Sequence, residues 1–169
     1  TEDKNILTVI LGGPTKHYHV SLAELKDLFN KIDLLFLNKV DEIKIVSSRR
    51  TPQSIIHFLQ DRYKDKPKII VDSSLSRKNY VQALAQAKKI IVTSDSISML
   101  SEAATTGAPI YLAKLKSYKN DHRFSNFLES FKKLNIIKDL ETKEETWTYD
   151  KLYETKRIAE LLKNKIIST

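Results

Sequence analysis

Cysteine is absent from this 169-residue chain, and only three glycines occur in it. The lack of cysteine excludes a disulfide framework and a thiolate metal site, and it fits a reducing, cytoplasmic compartment. Long apolar runs are also absent, because none reaches the roughly 18–20 residues of a membrane-spanning helix. Any membrane contact is therefore expected to be peripheral. With so few glycines, each is expected to have a specific backbone role.

The charge is unbalanced, with 29 Lys and Arg against 21 Asp and Glu and a formal net charge of +8. A basic chain attracts polyanions such as nucleotides, nucleic acid or an anionic membrane. The lysines are scattered, and the sequence lacks basic-aromatic alternation and a Gly-Phe-rich strand motif. We therefore expect no nucleic-acid partner, and a general enrichment in lysine is an equally good explanation of the charge.

Short β-branched, apolar runs predict five strands. They are Ile6–Leu11, Ile43–Ser47, Lys68–Asp72, Lys89–Thr93 and Pro109–Ala113. Their hydrophobicity is continuous, which is typical of strands buried on both faces. Helical spacing occurs in Ser21–Ile32, Pro52–Arg62, Arg77–Lys88, Ser96–Thr106 and His122–Leu134. This alternation predicts an α/β, Rossmann-like, three-layer domain, with a parallel sheet of about five or six strands and helices on both faces.

No internal repeat, low-complexity segment or linker divides the chain, so residues 1–169 are predicted to form a single domain. Lys114–Asp121 is predicted to be a loop, Asp139–Thr148 an acidic irregular segment, and 150–169 a closing helix. An aromatic stripe in His122–Leu134 favours core packing. Its alternative is membrane docking.

Several ligand signatures are missing from the sequence. The first strand is followed by GGPTKH rather than G-x-G-x-x-G, which disfavours a dinucleotide-dependent oxidoreductase. A sugar-nucleotide epimerase would need Tyr-x-x-x-Lys, and Tyr153 has Arg157 at the Lys position. Neither an Asp-x-Asp pair nor a close His pair on a helix occurs, so we expect no metal and no cofactor.

The segments that follow the strands have the composition of an anion-binding site. In an open parallel sheet, ligands bind beyond the carboxyl ends of the strands. Gly12 and Gly13, followed by Lys16, end the first strand, and their N–H groups can approach a phosphate closely. Arg49 and Arg50 follow the second strand and can clamp a phosphate. The alternatives are a simple turn for the glycines and a solvated loop end for the arginines.

The fourth strand leads into a helix that begins with hydroxyl and acidic residues. Ser94, Asp95 or Ser96 can cap this helix. Its N-terminus can also receive a phosphate near Ser96 and Ser98. Glu102, about one turn later, can accept both hydroxyls of a ribose. The alternative is that Ser98 and Glu102 are plain helix surface.

Three motifs resemble the mitochondrial fission ELM-type family, which occurs in bacteria and plants. They are LGGPTKHYHVS, VSSRRTP and TSDSISMLSEAATTGAPIYL. The chain is similar to the carboxyl-terminal half of the family's proteins. The third motif also resembles the nucleotide-sugar site of GT-B glycosyltransferases, such as the enzyme that adds N-acetylglucosamine to the lipid-linked peptidoglycan precursor. This resemblance implies half of a GT-B-like fold.

The resemblance also implies roles for individual residues. It places the diphosphate on Ser96 and Ser98 and the ribose on Glu102. The two glycines after the first strand would face the donor across an interdomain cleft, and the base would lie near Ser73–Lys78.

The function implied is that of a nucleotide-sugar-binding, or nucleoside-diphosphate-binding, domain of a glycosyltransferase-like protein. Activity would need an N-terminal GT-B-like domain, which we expect to lie outside this chain, and the catalytic residues are not identified. The expected ligand is a nucleoside-diphosphate sugar, and a homodimer is a further expected assembly. The alternative is a non-catalytic interaction or scaffold module of the mitochondrial-fission-type family at a membrane periphery.

Overall fold

The computed structural model describes residues 3–16, 18–116, 122–141 and 143–151, and strands and helices alternate within them. In chain order these elements are β1 (Ile6–Ile10), α1 (Leu22–Phe36), β2 (Glu42–Val46), α2 (Gln53–Arg62), β3 (Ile69–Asp72), α3 (Arg77–Gln86), β4 (Lys89–Thr93), α4 (Ile97–Ala104), β5 (Ile110–Ala113), α5 (His122–Lys133) and β6 (Ile137–Asp139).

All six strands pair in parallel, in the order β3-β2-β1-β4-β5-β6. The chain builds outward from β1 to β3, crosses back over the sheet through α3, and continues from β4 to β6. The strand order therefore reverses between β1 and β4. In sheets of this kind, the crevice outside the carboxyl ends of the strands at that point is where ligands bind. The predicted Rossmann-like α/β fold is confirmed.

Alternate residues of the strands pack into two cores on opposite faces of the sheet. Leu7 and Val9 of β1 pack with α1 and α2, through side chains such as Phe29. Ile90 and Val92 of β4 pack with α3, α4 and α5 on the other face. In the aromatic stripe of α5, Phe127 and Phe131 are buried in this second core, and Phe124 is half-buried against the first. Core packing of that stripe is confirmed.

Non-helical residues 140–141 and 143–149 cover the first face beneath β5, and we call them the strap. Trp147 packs edge-on against Tyr111 of β5 at 5.1 Å between ring centroids. The Tyr111 hydroxyl donates to the Glu145 carbonyl at 2.5 Å and accepts from the Glu145 N–H at 2.8 Å. The irregular character predicted for Asp139–Thr148 is confirmed for residues 140–141 and 143–148, whereas Asp139 is the last residue of β6.

Several predicted boundaries differ from the structure. β6 was not predicted, because only three residues pair with β5 after the turn at Asn135 (φ 62°). α4 ends at Ala104, where the hydroxyls of Thr105 and Thr106 bond back to helix carbonyls. The expectation that every strand is buried on both faces is wrong for β3, an edge strand with an exposed Ile70.

Parts of other predictions lie outside the described residues. The predicted closing helix falls there beyond Lys151, as does the predicted loop over 117–121. Within the described part of the chain, no helix combines the length and apolar character needed to cross a bilayer.

Candidate functional site

The β1–α1 loop is bonded to the end of β4 and the residues that follow it. The Gly12 N–H donates to Thr93 Oγ1 at 2.8 Å, and the Gly13 N–H donates to Asp95 Oδ2 at 3.1 Å. Both glycines are buried. The two amides predicted to approach a phosphate therefore have partners within the protein.

Arg50 and Asp95 form an ion pair behind this loop. Arg50 Nη2 lies 2.6 Å from Asp95 Oδ2, and the Asp95 side chain is 0% exposed. Asp95 Oδ1 is buried as well and has no hydrogen-bond partner among the described residues. One carboxylate thus joins the loops after β1, β2 and β4, and Arg50 neutralises it.

Steric exclusion explains why two adjacent residues of the β1–α1 loop are glycine. A Cβ on Gly12 would lie 1.8 Å from Asp95 Oδ2, and a Cβ on Gly13 would lie 1.9 Å from the Arg50 carbonyl oxygen. The close approach predicted for these glycines is present, and in this structure the groups that approach are Asp95 and the Arg50 backbone.

Thr51 is a buried residue of this region that the sequence analysis did not single out. Its hydroxyl donates to the Gly12 carbonyl at 2.7 Å and accepts from the Ser48 N–H at 2.9 Å. The available signal was its position before Pro52, where a threonine can close a loop at the start of a helix. Thr51 holds the loops after β1 and β2 together.

The serines at the start of α4 differ in their surroundings, because two make structural hydrogen bonds and one is exposed. Ser96 is the N-cap, accepting from the Met99 N–H at 3.2 Å, which confirms a capping role. Ser94 is buried and accepts from the Leu115 N–H at 2.8 Å. Ser98 is exposed, with its hydroxyl 3.4 Å from that of Ser96. Lys16 is exposed in the β1–α1 loop.

A cleft of about 260 Å³ opens beside this region, at the carboxyl ends of β1 and β2 and against α3 and α4. It is lined by Ile10, Val46, Ser47, Ser48, Arg49, Leu75, Ser76, Arg77, Tyr80, Met99 and Glu102. The structure thus brings Arg49 and Glu102 together in one cleft with the β3–α3 loop, where the base was expected. The other predicted site residues are not part of this lining.

Glu102 occupies the α4 side of the cleft and has two partners on α3. Arg77 Nη2 lies 2.7 Å from Glu102 Oε2, and the Tyr80 hydroxyl donates to Oε1 at 3.4 Å. Burial raises the pKa of Tyr80, and the Glu102 charge raises it further. The sequence analysis included Arg77 within the Ser73–Lys78 segment expected near the base but gave it no role of its own, and it did not name Tyr80 as a site residue. The signal for Arg77 was a cation at the first position of a helix that follows a strand.

The β3–α3 loop is held in a fixed shape. Asp72 accepts from the Ser74 N–H at 2.9 Å and from the Ser74 hydroxyl at 2.6 Å. Burial opposes ionisation of Asp72, but these hydrogen bonds outweigh it and lower its pKa. Leu75 has φ 60°, an uncommon value for a residue other than glycine, and its side chain is 53% exposed at the cleft. The loop therefore presents an apolar surface beside charged groups.

Comparison with known proteins places this chain in a family. A sequence model described as Mitochondrial fission ELM1 matches residues 1–166. This chain belongs to the mitochondrial fission ELM1 family. The resemblance drawn from the three motifs is thereby confirmed.

Two relatives align along nearly the whole chain. An uncharacterized protein of Rickettsia prowazekii, RP120, is 32% identical over 95% of this chain and 46% of its own length. The mitochondrial fission protein ELM1 of Arabidopsis thaliana is 24% identical over 96% of this chain and 38% of its own length. The chain spans less than half the length of these relatives.

Proposed function

We propose that this chain is a nucleotide-sugar-binding domain of a glycosyltransferase-like protein. The observation that carries the proposal is the cleft beside the reversal point of the sheet, at the carboxyl ends of β1 and β2, where Arg49, Arg77 and Glu102 surround an apolar floor. A nucleoside diphosphate has matching parts: an anionic diphosphate, a ribose diol and a flat base. The reaction class is transfer of a glycosyl group away from a diphosphate leaving group.

The cleft residues support a division of roles. The Glu102 carboxylate accepts the ribose hydroxyls, and the base lies against Leu75 and Met99. Because the Gly12 and Gly13 amides are bonded internally, the arginines of the cleft take over the neutralisation of the diphosphate. Stabilising a leaving group in this way lowers the barrier to transfer. The acceptor and the catalytic base belong, in this proposal, to the remaining length of the longer family members.

Calorimetric titration with UDP, GDP, ADP and UDP-N-acetylglucosamine tests this proposal. We expect saturable binding of one base, and a loss of about tenfold or more in affinity in Glu102→Ala, because a charge-assisted hydrogen bond is removed. Lys66→Ala is the matched control, since Lys66 is exposed in the α2–β3 connection, at the amino ends of the strands, whereas the cleft lies at their carboxyl ends. Binding that is unchanged in Glu102→Ala would contradict the ribose assignment.

The alternative, a non-catalytic interaction module at a membrane periphery, is the reading favoured if no nucleotide binds. The buried Phe127 and Phe131 argue against the aromatic stripe of α5 as its membrane-binding surface. Co-sedimentation with anionic vesicles would then identify a different surface, with binding that falls as salt rises.

A further inference from the structure

Most of the groups that could bind a phosphate at the carboxyl ends of the strands already have partners within the protein. The Gly12 and Gly13 amides have internal acceptors, and Arg50 is paired with the fully buried Asp95. Among the described residues that line the cleft, the cations are Arg49 and Arg77. A phosphate bound in the cleft is therefore neutralised by these two arginines.

Arg77 differs from Arg50 in how firmly it is held. Its guanidinium is paired with Glu102 at 2.7 Å and lies 5.2 Å from the centroid of the Tyr80 ring, yet the side chain is 72% exposed. Ion pairs as exposed as this one contribute little to stability. Separation of Arg77 from Glu102 is therefore easy, whereas separation of Arg50 from Asp95 leaves a buried charge without a partner.

The pair of Arg77 and Glu102 also stands between two cavities. The cleft lies on one side, and a second cavity of about 530 Å³ lies between α3 and α4 on the other, beside Val81, Leu84 and Thr105. Both Arg77 and Glu102 border both cavities. Movement of the Arg77 side chain away from Glu102 therefore changes the lining of both cavities.

We propose that Arg77 is the phosphate-selecting residue of the cleft, and that it exchanges the Glu102 carboxylate for a ligand phosphate. The inference rests on the proposed nucleotide function. In the empty cleft, Glu102 and the Tyr80 ring hold the guanidinium. When a nucleoside diphosphate binds, Glu102 accepts the ribose hydroxyls and Arg77 turns to the phosphate oxygens. A nucleoside, which has no phosphate, contacts Glu102 but not Arg77.

Titration of Arg77→Gln with UDP, GDP and ADP, and with the three corresponding nucleosides, tests the selection. We expect the affinity for the bound nucleotide to fall about tenfold, the effect of losing one charge-assisted contact, whereas the affinity for its nucleoside should not fall and can rise by up to about fivefold, because Glu102 is released from its ion pair. Arg77→Lys should retain part of the nucleotide affinity. Lys66→Gln is the control for a general loss of positive charge, and circular dichroism checks the fold of each variant.

The outcomes separate this inference from the function on which it rests. If wild-type protein binds a nucleotide and Arg77→Gln binds it equally well, the inference is overturned and the proposed function stands. Equal losses for nucleotide and nucleoside would also overturn it, because Arg77 would then shape the cleft as a whole. If the wild-type protein binds none of the three nucleotides, both fail.

Inorganic pyrophosphate, which lacks a ribose, tests the exchange. Glu102→Gln releases Arg77, so we expect pyrophosphate to bind this variant about two- to fivefold more tightly than wild type, the range that an exposed ion pair allows. The double variant with Arg77→Gln should lose this gain. Weaker or equal binding to Glu102→Gln, or a gain that persists in the double variant, would overturn the exchange.

Discussion

Gly12 has no room for a side chain, because the Asp95 carboxylate lies where a Cβ would stand. We expect Gly12→Ala to lower the free energy of unfolding by about 1–3 kcal/mol, the usual range for overpacking a buried position. Urea unfolding followed by circular dichroism measures this change. Ser98→Ala, at an exposed position of α4, is the control and should stay close to wild type. Wild-type stability in Gly12→Ala would contradict the close packing of Asp95.

Thr51 provides a second test at the scale of one residue. Thr51→Val keeps the shape of the side chain but leaves the Gly12 carbonyl and the Ser48 N–H without their partner. We expect a loss of about 1–3 kcal/mol in unfolding free energy, since these groups are buried or partly buried. Thr51→Ser restores the hydroxyl and should recover most of the lost unfolding free energy. Equal stability of the Val and Ser variants would show that the hydroxyl is not needed.

The glycines also show how far a sequence leads at this scale. Two adjacent glycines after a strand indicate that a group approaches the backbone closely, and Asp95 and the Arg50 backbone do so here, while the approach of a phosphate stays a prediction. The approaching group could not be identified, because Gly13 and Asp95 are 82 residues apart and local spacing does not select one acid among many. The contacts of Arg77 and Tyr80 with Glu102 could not be predicted for the same reason, since they join two neighbouring helices.

At the scale of elements, the Arg50–Asp95 pair links the loops after β1, β2 and β4. Arg50→Ala would leave a fully buried carboxylate without its cation. Removing one partner of a buried pair is strongly destabilising, and because Arg50 is itself 41% exposed we expect about 2–3 kcal/mol. Arg49→Ala is the matched control, since the neighbouring Arg49 is exposed at the cleft.

Chemical denaturation of Arg50→Ala and Arg49→Ala compares the contributions of two adjacent arginines to the free energy of unfolding. The Arg49 variant should stay within about 0.5 kcal/mol of wild type, as surface substitutions usually do. Similar losses in both variants would mean that the loop as a whole, rather than the pair with Asp95, determines stability.

The elements themselves were largely predictable because their signals are local. The sequences of β1, β4 and β5 are continuous apolar runs because both faces of these strands are covered. A serine three residues before a glutamate indicates a helix start, and Ser21 caps α1 by accepting from the Glu24 N–H. β6 could not be found this way, because three residues are too few for a periodic pattern. Its pairing depends on β5, which lies in a different part of the sequence.

At the scale of the whole molecule, one buried and two half-buried tyrosines make the stability of the protein fall at alkaline pH. Burial raises the pKa of Tyr63, Tyr80 and Tyr149, and the carboxylates of Asp33 and Glu102 add to the effect for the first two. In the unfolded chain these phenols ionise near pH 10. Their contribution to stability is therefore complete below about pH 10 and is lost as the pH rises further, because the unfolded state releases its protons first.

Urea unfolding at several values between about pH 8 and 11 measures this loss, and phenolate absorbance followed in parallel reports the ionisation. We expect the buried tyrosines to ionise together with unfolding. Tyr80→Phe should reduce the pH dependence. A flat stability profile across this range would contradict the burial of these hydroxyls.

The strap has a consequence for any shortened version of the chain. On the first face of the sheet, Trp147 and the backbone of Glu145 cover Tyr111, and Lys89 is paired with Glu144 at 2.6 Å. A chain cut after β6 would keep the six described strands yet leave an aromatic patch and a buried lysine open to water. Such a fragment would self-associate, so the C-terminal boundary for producing a well-behaved protein lies after Tyr149, whose hydroxyl bonds to the Ala108 carbonyl.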